Sequence, residues 1–261
     1  MATKKAPAMR MRKIAKTKKA LEVGASAPKN ERSESSPGPK PSLTADQIAR
    51  ASIAVADAEG LAAVSMQRIA REVHVTTMAL YRYFPGKAEL VDLMIDRAGG
   101  PVSDLHFAGR GWRSRLAEWT HRCSAIYCNH PWFLQATARP QRIMGPNELG
   151  WLNAALQELS NTGLTARQQH EAFLLLMGHI RSNAEFTAGR SRGPSTESWL
   201  SETAKLPAPF RNRYPALAAA VESGAFNQPL DDGLEFGLTC ILNGIESILR
   251  KRRISRKADR S

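Results

Sequence analysis

The sequence predicts an all-α protein, a small N-terminal helical bundle followed by a larger one, and three observations carry that prediction. Apolar residues recur at three- and four-residue spacing through most of residues 43–250, the period of one helix face. Gly and Pro stand between these runs as stop signals, at Gly60, Gly99-Gly100-Pro101, His130-Pro131, Gly145-Pro146, Gly163, Gly193-Pro194, Pro207-Ala208-Pro209 and Gln228-Pro229. The alternation that marks a half-buried strand is missing, and no internal repeat is visible.

The first helix is expected from Thr44, an N-cap residue, with Ile48, Ala51, Val55 and Ala58 on its inner face and Gly60 at its end. Ser65 caps a second, short helix that turns Ile69, Ala70 and Val73 inward. Thr76 or Thr77 starts a third, with Leu80 and Phe84 inward. A fourth opens at Gly86, contains Leu90, Leu93 and Met94, and ends at Gly99-Gly100. Further helices are expected at about 110–129, 132–138, 146–161, 165–189, 195–204, 212–223 and 230–250. Residues 1–41 differ in kind. They are rich in Lys, Ala, Ser and Pro, nearly without large apolar side chains, and are expected to be disordered because they cannot bury enough surface to offset their ordering entropy.

The formal charge of +13 is unevenly placed. Residues 1–40 hold eleven Lys/Arg against three acids, and residues 250–261 hold seven against one. The body between them has nineteen against twenty. Basic tails on a neutral body suit a polyanion such as nucleic acid or anionic lipid. The longest apolar run, Ala172 to Gly178, is too short to span a bilayer, and the basic N-terminus lacks the apolar segment of a secretory signal. No membrane partner is therefore expected; three cysteines, Cys123, Cys128 and Cys240, cannot all pair within one chain and are read as reduced thiols, which points to the cytoplasm.

The second and third helices are joined by only Val73-His74-Val75, the geometry of a helix-turn-helix whose later helix lies in the major groove of DNA. Tyr81 and Tyr83 cannot both join Leu80 and Phe84 on one helix face, so the row Leu80-Tyr81-Arg82-Tyr83-Phe84 is more than a core stripe. Thr77, Met78 and Ala79 are short enough to bring the backbone close to base edges. The Tyr hydroxyls and Lys87 suit backbone phosphates, which fix register while base contacts set sequence preference.

Over residues 43–98 the pattern Ile48…Ala51…Gly60-Leu61, Ser65-Met66…Ile69-Ala70…Val73-His74-Val75, Leu80-Tyr81-Arg82-Tyr83-Phe84 and Lys87…Leu90-Val91 resembles the DNA-binding domain of the TetR family of bacterial regulators. The resemblance implies phosphate contacts for Ser65, Thr76, Tyr81, Tyr83 and Lys87, and positions toward the bases for Gln67, Thr77, Met78, Ala79 and Arg82. It departs at His74, where the family usually has Gly, so a turn with positive φ is expected to carry a Cβ. The head is also nearly uncharged, with six basic and seven acidic groups over 41–98, so the tails are expected to supply attraction to DNA.

Four tryptophans, Trp112, Trp119, Trp132 and Trp151, fall among Tyr127 and Phe133. Such rings fill a core or line an apolar pocket, and the resemblance, which extends loosely to a tetracycline-repressor-like C-terminal domain, implies an inducer there. Tyr127, Trp132, Phe133, Trp151, Met177 and His179 are the candidate ligand residues. His121, Cys123, Cys128 and His130 do not share one helix face, so no metal and no cofactor are expected. Apolar stripes at Phe173, Leu174, Met177 and Ile180, and at Leu234, Leu238, Ile241, Leu242, Ile245 and Ile248, have Gly178, Gly237 and Gly244 among them for close approach. The resemblance makes them the interface of a homodimer.

The resulting expectation is a disordered basic segment (1–41), a three-helix helix-turn-helix DNA-binding domain (42–100), a larger helical ligand-binding and dimerisation bundle (101–250) and a basic tail (251–261). Its function would be that of a sequence-specific regulator, a repressor released from a pseudo-palindromic operator by a small apolar ligand. The alternative is an architectural DNA-binding protein using its basic tails. No Gly-x-Ser-x-Gly elbow, phosphate-cradling glycine loop or His-Glu-x-x-His pattern favours an enzyme.

Overall fold

A computed structural model of the chain describes residues 43–102, 111–190, 208–225 and 233–258. The basic N-terminal segment and the helix expected at 195–204 lie outside them. The described residues are helical with no strand, and they form two compact units, one ending at Asn161 and the other beginning at Thr162. The helices up to Ser160 pack with the N-terminal ones.

In the first unit, α1 (Ala45–Glu59) begins at a capping box. The Gln47 N–H donates to Thr44 Oγ1 at 3.2 Å, and the Thr44 N–H donates to Gln47 Oε1 at 2.9 Å. A single 3₁₀ turn (Leu61–Ala63) leads to α2 (Met66–Glu72), α3 (Thr77–Tyr83) and α4 (Lys87–Gly99). Then follow α5 (Trp112–Asn129), α6 (Phe133–Thr137) and α7 (Pro146–Ser160). Leu80 and Phe84 are buried as their spacing predicts, each contributing roughly 1.5–3 kcal/mol of apolar transfer. On α1, Ile48 and Val55 are buried while Ala58 is exposed, so the inner stripe is narrower than expected.

Helix α4 is the hub of this unit. It packs against α1, α5, α6 and α7, and every residue from Leu90 to Asp96 is buried. A helix covered on all sides normally carries apolar residues on all sides. Here Asp92 and Asp96 are covered as well, and each needs partners that only neighbouring elements can supply.

The second unit holds α8 (Ala166–Arg190), α9 (Ala208–Arg213), α10 (Pro215–Glu222) and α11 (Gly233–Ala258). The single helix expected at 212–223 is divided at Tyr214, because Pro215 has no N–H and pushes the residue before it out of the helical region. Helix α8 packs on α11 through Ala172, Leu176, Ile180 and Ala184 against Leu238, Leu242, Ile245 and Leu249. Of the stripe expected at a dimer interface, Ile180 is buried within the chain while Leu174 is exposed, as is the neighbouring Leu175. Of the three glycines expected at close approaches, Gly237 sits against another residue of the chain, since a Cβ there would lie 2.7 Å from His179 Nδ1. Gly178 and Gly244 face open space. The C-terminal basic segment expected as a tail from 251 continues α11 to Ala258. All three cysteines are free, and burial pushes the Cys123 thiol pKa up.

Candidate nucleic-acid interface

Local chemistry explains why α2 and α3 form as two short helices at a tight joint. Ser65 Oγ accepts the Arg68 N–H at 3.1 Å and Thr76 Oγ1 accepts the Ala79 N–H at 3.2 Å, so each helix starts at a side-chain cap. α2 ends in a Schellman motif: the His74 N–H donates to Arg71 O at 3.2 Å and the Val75 N–H to Ala70 O at 2.9 Å. The motif demands a left-handed residue between helices, and His74 adopts φ 55°. The expected positive φ on a residue with a Cβ is what the structure shows. Arg68 braces α2 by pairing with Glu72 and, at 2.8 Å, with Glu59 of α1; the Arg68 hydrogen bond holds the Glu72 carboxyl below its usual range.

The helical period then sorts the candidate residues. Met78, Tyr81 and Arg82, at i, i+3 and i+4, share the exposed face of α3, with Met78 76% exposed. Leu80 and Phe84 face the core, and Thr77 and Ala79 are half-buried beneath the exposed face. Gln67 is exposed on α2. A large unpartnered Met beside a Tyr and an Arg is the surface anticipated for a helix that meets base edges.

Donor bookkeeping separates the expected phosphate contacts. Ser65 and Thr76 use their oxygens as acceptors in the caps, which leaves each O–H proton free to donate. Lys87 Nζ donates to Leu61 O at 3.0 Å and keeps two further donors; burial, and then the nearby Arg139 charge, lower its pKa. Tyr83 differs. It is half-buried, and its hydroxyl donates to the Leu43 carbonyl, so its one proton is committed within the protein. Tyr81, Tyr83 and Lys87 therefore do not present one common row of free donors. Tyr81 projects outward, while the other two tie α3 and α4 to neighbouring carbonyls.

With this geometry in view, the chain matches known families along most of its length. Residues 48–94 match the family described as bacterial regulatory proteins, tetR family, and residues 108–249 match the tetracyclin repressor-like C-terminal domain. The HTH-type transcriptional repressor DrrR1 of Streptomyces coeruleorubidus is 37% identical over 225 residues, covering 83% of this chain and 82% of that protein. The chain belongs to the TetR family of transcriptional regulators.

Among solved structures, apo ActR from Streptomyces coelicolor superposes with a TM-score of 0.70 at 23% identity, over 80% of this chain and 98% of that one. ActR in complex with actinorhodin gives 0.69 at 23% identity, over 79% and 98%. Both are likenesses of fold. The TetR-type head of this chain is fastened to the segment 130–148 by three carboxylates that the sequence did not single out. Asp57 of α1 accepts Trp132 Nε1–H at 2.6 Å and lies 2.8 Å from His130 Nδ1. Asp92 of α4 pairs with Arg139 and accepts the Ile143 N–H at 3.3 Å.

Asp96 makes the tightest of these junctions. One carboxylate oxygen accepts the N–H groups of Asn147 at 2.8 Å and Glu148 at 3.2 Å, so a side chain of α4 caps the N-terminus of α7. The other accepts Arg97 Nη1–H at 2.6 Å. Despite these donors, burial raises the carboxyl pKa of Asp96, and likewise that of Asp92. Gly145 lets the two helices meet, because a Cβ there would lie 2.7 Å from Asp96 Cβ and closer still to the carboxylate. The available signal was two acids four residues apart inside the run Leu90-Val91-Asp92-Leu93-Met94-Ile95-Asp96.

The candidate ligand residues of this regulator do not form one cluster within either unit. Tyr127, Trp132 and Phe133 pack on one another in the first unit, with Tyr127 and Phe133 edge to face at 5.0 Å and the Trp132 and Phe133 rings 5.8 Å apart. All three are buried. Trp151 Nε1–H is shared by the carbonyls of Gly99 at 3.0 Å and Gly100 at 3.1 Å, fixing α7 to the end of α4. Met177 and His179 belong to the second unit, where His179 Nε2–H donates to Leu234 O at 2.9 Å. A groove of about 450 Å³ in the first unit is lined by Leu61, Lys87, Ala88, Val91, Gln135 and Arg139, none of them among the ligand candidates.

Proposed function

We propose that this chain is a ligand-controlled repressor whose α3 reads a pseudo-palindromic operator. The exposed face of Met78, Tyr81 and Arg82, on a helix capped by Thr76 and backed by buried Leu80 and Phe84, carries the reading. Gln67, Thr77 and Ala79 complete the surface toward the bases, while Ser65, Thr76, Tyr81 and Lys87 hold phosphates and set the register. Tyr83 serves this interface indirectly, through Leu43, as long as its bond to that carbonyl holds.

The reading head needs a partner, since a two-fold operator is read by two heads with centres about 34–36 Å apart. The exposed Leu174, Leu175, Phe236 and Ile248 on α8 and α11, with Gly178 and Gly244 open beside them, are the surface such a homodimer would bury. A small apolar ligand is read from the family and from a fold shared with ActR, which has been solved with actinorhodin. Tyr127, Trp132, Phe133, Trp151, Met177 and His179 remain the residues proposed to meet it. Ligand binding would move α6 and α7, and the Asp57, Asp92 and Asp96 junctions would carry that movement to α1 and α4. A coupling of about 1–3 kcal/mol suffices, and operator DNA must weaken ligand binding by the same factor. Such a regulator acts on DNA in the cytoplasm.

The test is Arg82→Ala in the full-length protein, measured on the operator and on a scrambled duplex of equal length. Loss of one base contact lowers operator affinity by about 1–3 kcal/mol and leaves scrambled-DNA affinity nearly unchanged. Equal loss on both duplexes, or none on either, favours an architectural protein held by its basic segments.

A further inference from the structure

The groove of about 450 Å³ in the first unit takes no part in base reading or in the aromatic cluster, yet its chemistry is selective. Three stretches far apart in sequence build it: the turn after α1, the first turns of α4, and α6 with Arg139 just beyond it. Leu61, Ala88 and Val91 supply an apolar wall, and Val91 is almost fully buried. Lys87, Arg139 and Gln135 supply the polar groups, and none of the residues lining the groove is an acid.

Donors remain open beside this wall. Lys87 Nζ is held by the Leu61 carbonyl at 3.0 Å and keeps two N–H groups. Arg139 gives one N–H each to Ala136 O at 3.3 Å, Ala88 O at 3.4 Å and the Asp92 carboxylate, and keeps two of its five. Gln135 adds an exposed amide. Asp92, itself buried, offsets the Arg139 charge, while no carboxylate among the described residues pairs with Lys87. Burial, and then the neighbouring Arg139 charge, lower the Lys87 pKa, so a bound anion would relieve the repulsion between the two cations.

Size and polarity choose the ligand. A volume of about 450 Å³ falls within the roughly 300–1,000 Å³ of small-molecule sites. An inorganic phosphate, or one phosphate of DNA, would leave the apolar wall in water. A wholly apolar ligand would cut the Lys87 ammonium off from water without replacing it. We propose that this groove is a second effector site, for a small organic monoanion whose apolar body covers Leu61, Ala88 and Val91 and whose charge meets Lys87 and Arg139. It is separate from the site of the apolar ligand proposed for the aromatic residues. Lys87 is also proposed to hold an operator phosphate, so the anion and the DNA draw on one ammonium, and the effector weakens DNA binding without any movement of α7. That consequence rests on the proposed reading of the head as a DNA reader.

The test uses full-length protein and two fluorescent probes of similar shape, anilinonaphthalene sulfonate, a monoanion, and the uncharged phenylnaphthylamine. Titrations without DNA compare wild type, Lys87→Gln and Ala88→Leu. Glutamine keeps an N–H for the Leu61 carbonyl while removing the charge, and leucine fills the groove from an exposed position of α4 at little cost to the helix. Wild type is expected to bind the sulfonate about tenfold tighter than the amine, and Lys87→Gln to bind the two within about twofold. Ala88→Leu should weaken the sulfonate about tenfold or more. A wild type without preference for the sulfonate, a Lys87→Gln protein that keeps the preference, or an Ala88→Leu protein that binds the sulfonate as wild type does overturns the site.

Operator duplex is then added. It should displace the sulfonate, and saturating sulfonate should weaken operator binding by the same factor. The salt slope of operator binding should fall by about 1.8, one phosphate for each Lys87 of a dimer. Sulfonate that binds through Lys87 yet survives saturating operator keeps the anion site and removes the phosphate contact from Lys87.

Discussion

Replacing Gly145 by Ala adds one methyl group at the point where α4 and α7 meet. The backbone of Gly145 is extended, with φ −83°, so Ala fits the conformation without strain. The methyl carbon itself has no room: it would lie 2.7 Å from Asp96 Cβ and nearer still to the carboxylate, on a side chain that is fully buried. Asp96 cannot swing aside without releasing the Asn147 and Glu148 N–H groups, leaving α7 uncapped and a buried carboxylate short of donors. Overpacking of this kind costs about 1–3 kcal/mol, and a displaced hydrogen bond to a charged group about 1.5–3 kcal/mol. We therefore expect a loss of about 3 kcal/mol. At roughly 2–4 °C per kcal/mol for a chain of this size, thermal melting followed by circular dichroism should fall by about 6–12 °C. Gly150→Ala, within α7, is the control, since its Cβ would meet the Val102 side chain at an ordinary 3.4 Å and the change gains helix propensity of about 1 kcal/mol. A Gly145→Ala protein that melts within about 2 °C of wild type would show that the α4–α7 junction has room for a methyl group and that Asp96 does not hold it closed.

Two further outcomes follow from single residues. His74→Gly removes a Cβ from a left-handed position, so melting should rise by an amount corresponding to at most about 1 kcal/mol; an unchanged or lower midpoint contradicts the strained-turn account. Burial raises the Asp96 carboxyl pKa in the folded state, so the folded protein holds that proton more tightly than the unfolded chain. Its contribution to stability is fully present below the unfolded carboxyl value of about 3.9 and is lost as pH rises through the folded value. Asp96→Asn should therefore cost more stability at about pH 4 than at pH 7, and denaturant unfolding at the two pH values measures the difference.

Much of the head was legible because its signals are local. Thr44, Ser65 and Thr76 are caps whose partners lie three residues on, Gly60 and His74 are stops, and the spacing of Leu80 and Phe84 needs no tertiary knowledge. What escaped depends on contacts far apart in sequence. Tyr83 looks like a free phenol in its heptad, and only the return of Leu43, forty residues earlier, takes its proton. Asp92 and Asp96 look like a solvent-facing pair until α6 and α7 cover them from fifty residues away. Phe173, Leu174, Met177 and Ile180 were read as one apolar stripe at a dimer interface, and only the packing of α11 shows that Ile180 is covered within the chain while Leu174 stays exposed. Tyr127, Trp132 and Phe133 are as apolar as a pocket would need, yet in one chain they fill space against each other.

Recognition of bases by the exposed face of α3 is probed most directly by selection from random duplex DNA with the full-length protein. Enrichment of a two-fold symmetric sequence with half-site centres about 10 base pairs apart, or a multiple of that, is the predicted result. Pools that bind tightly while converging on no sequence would contradict it.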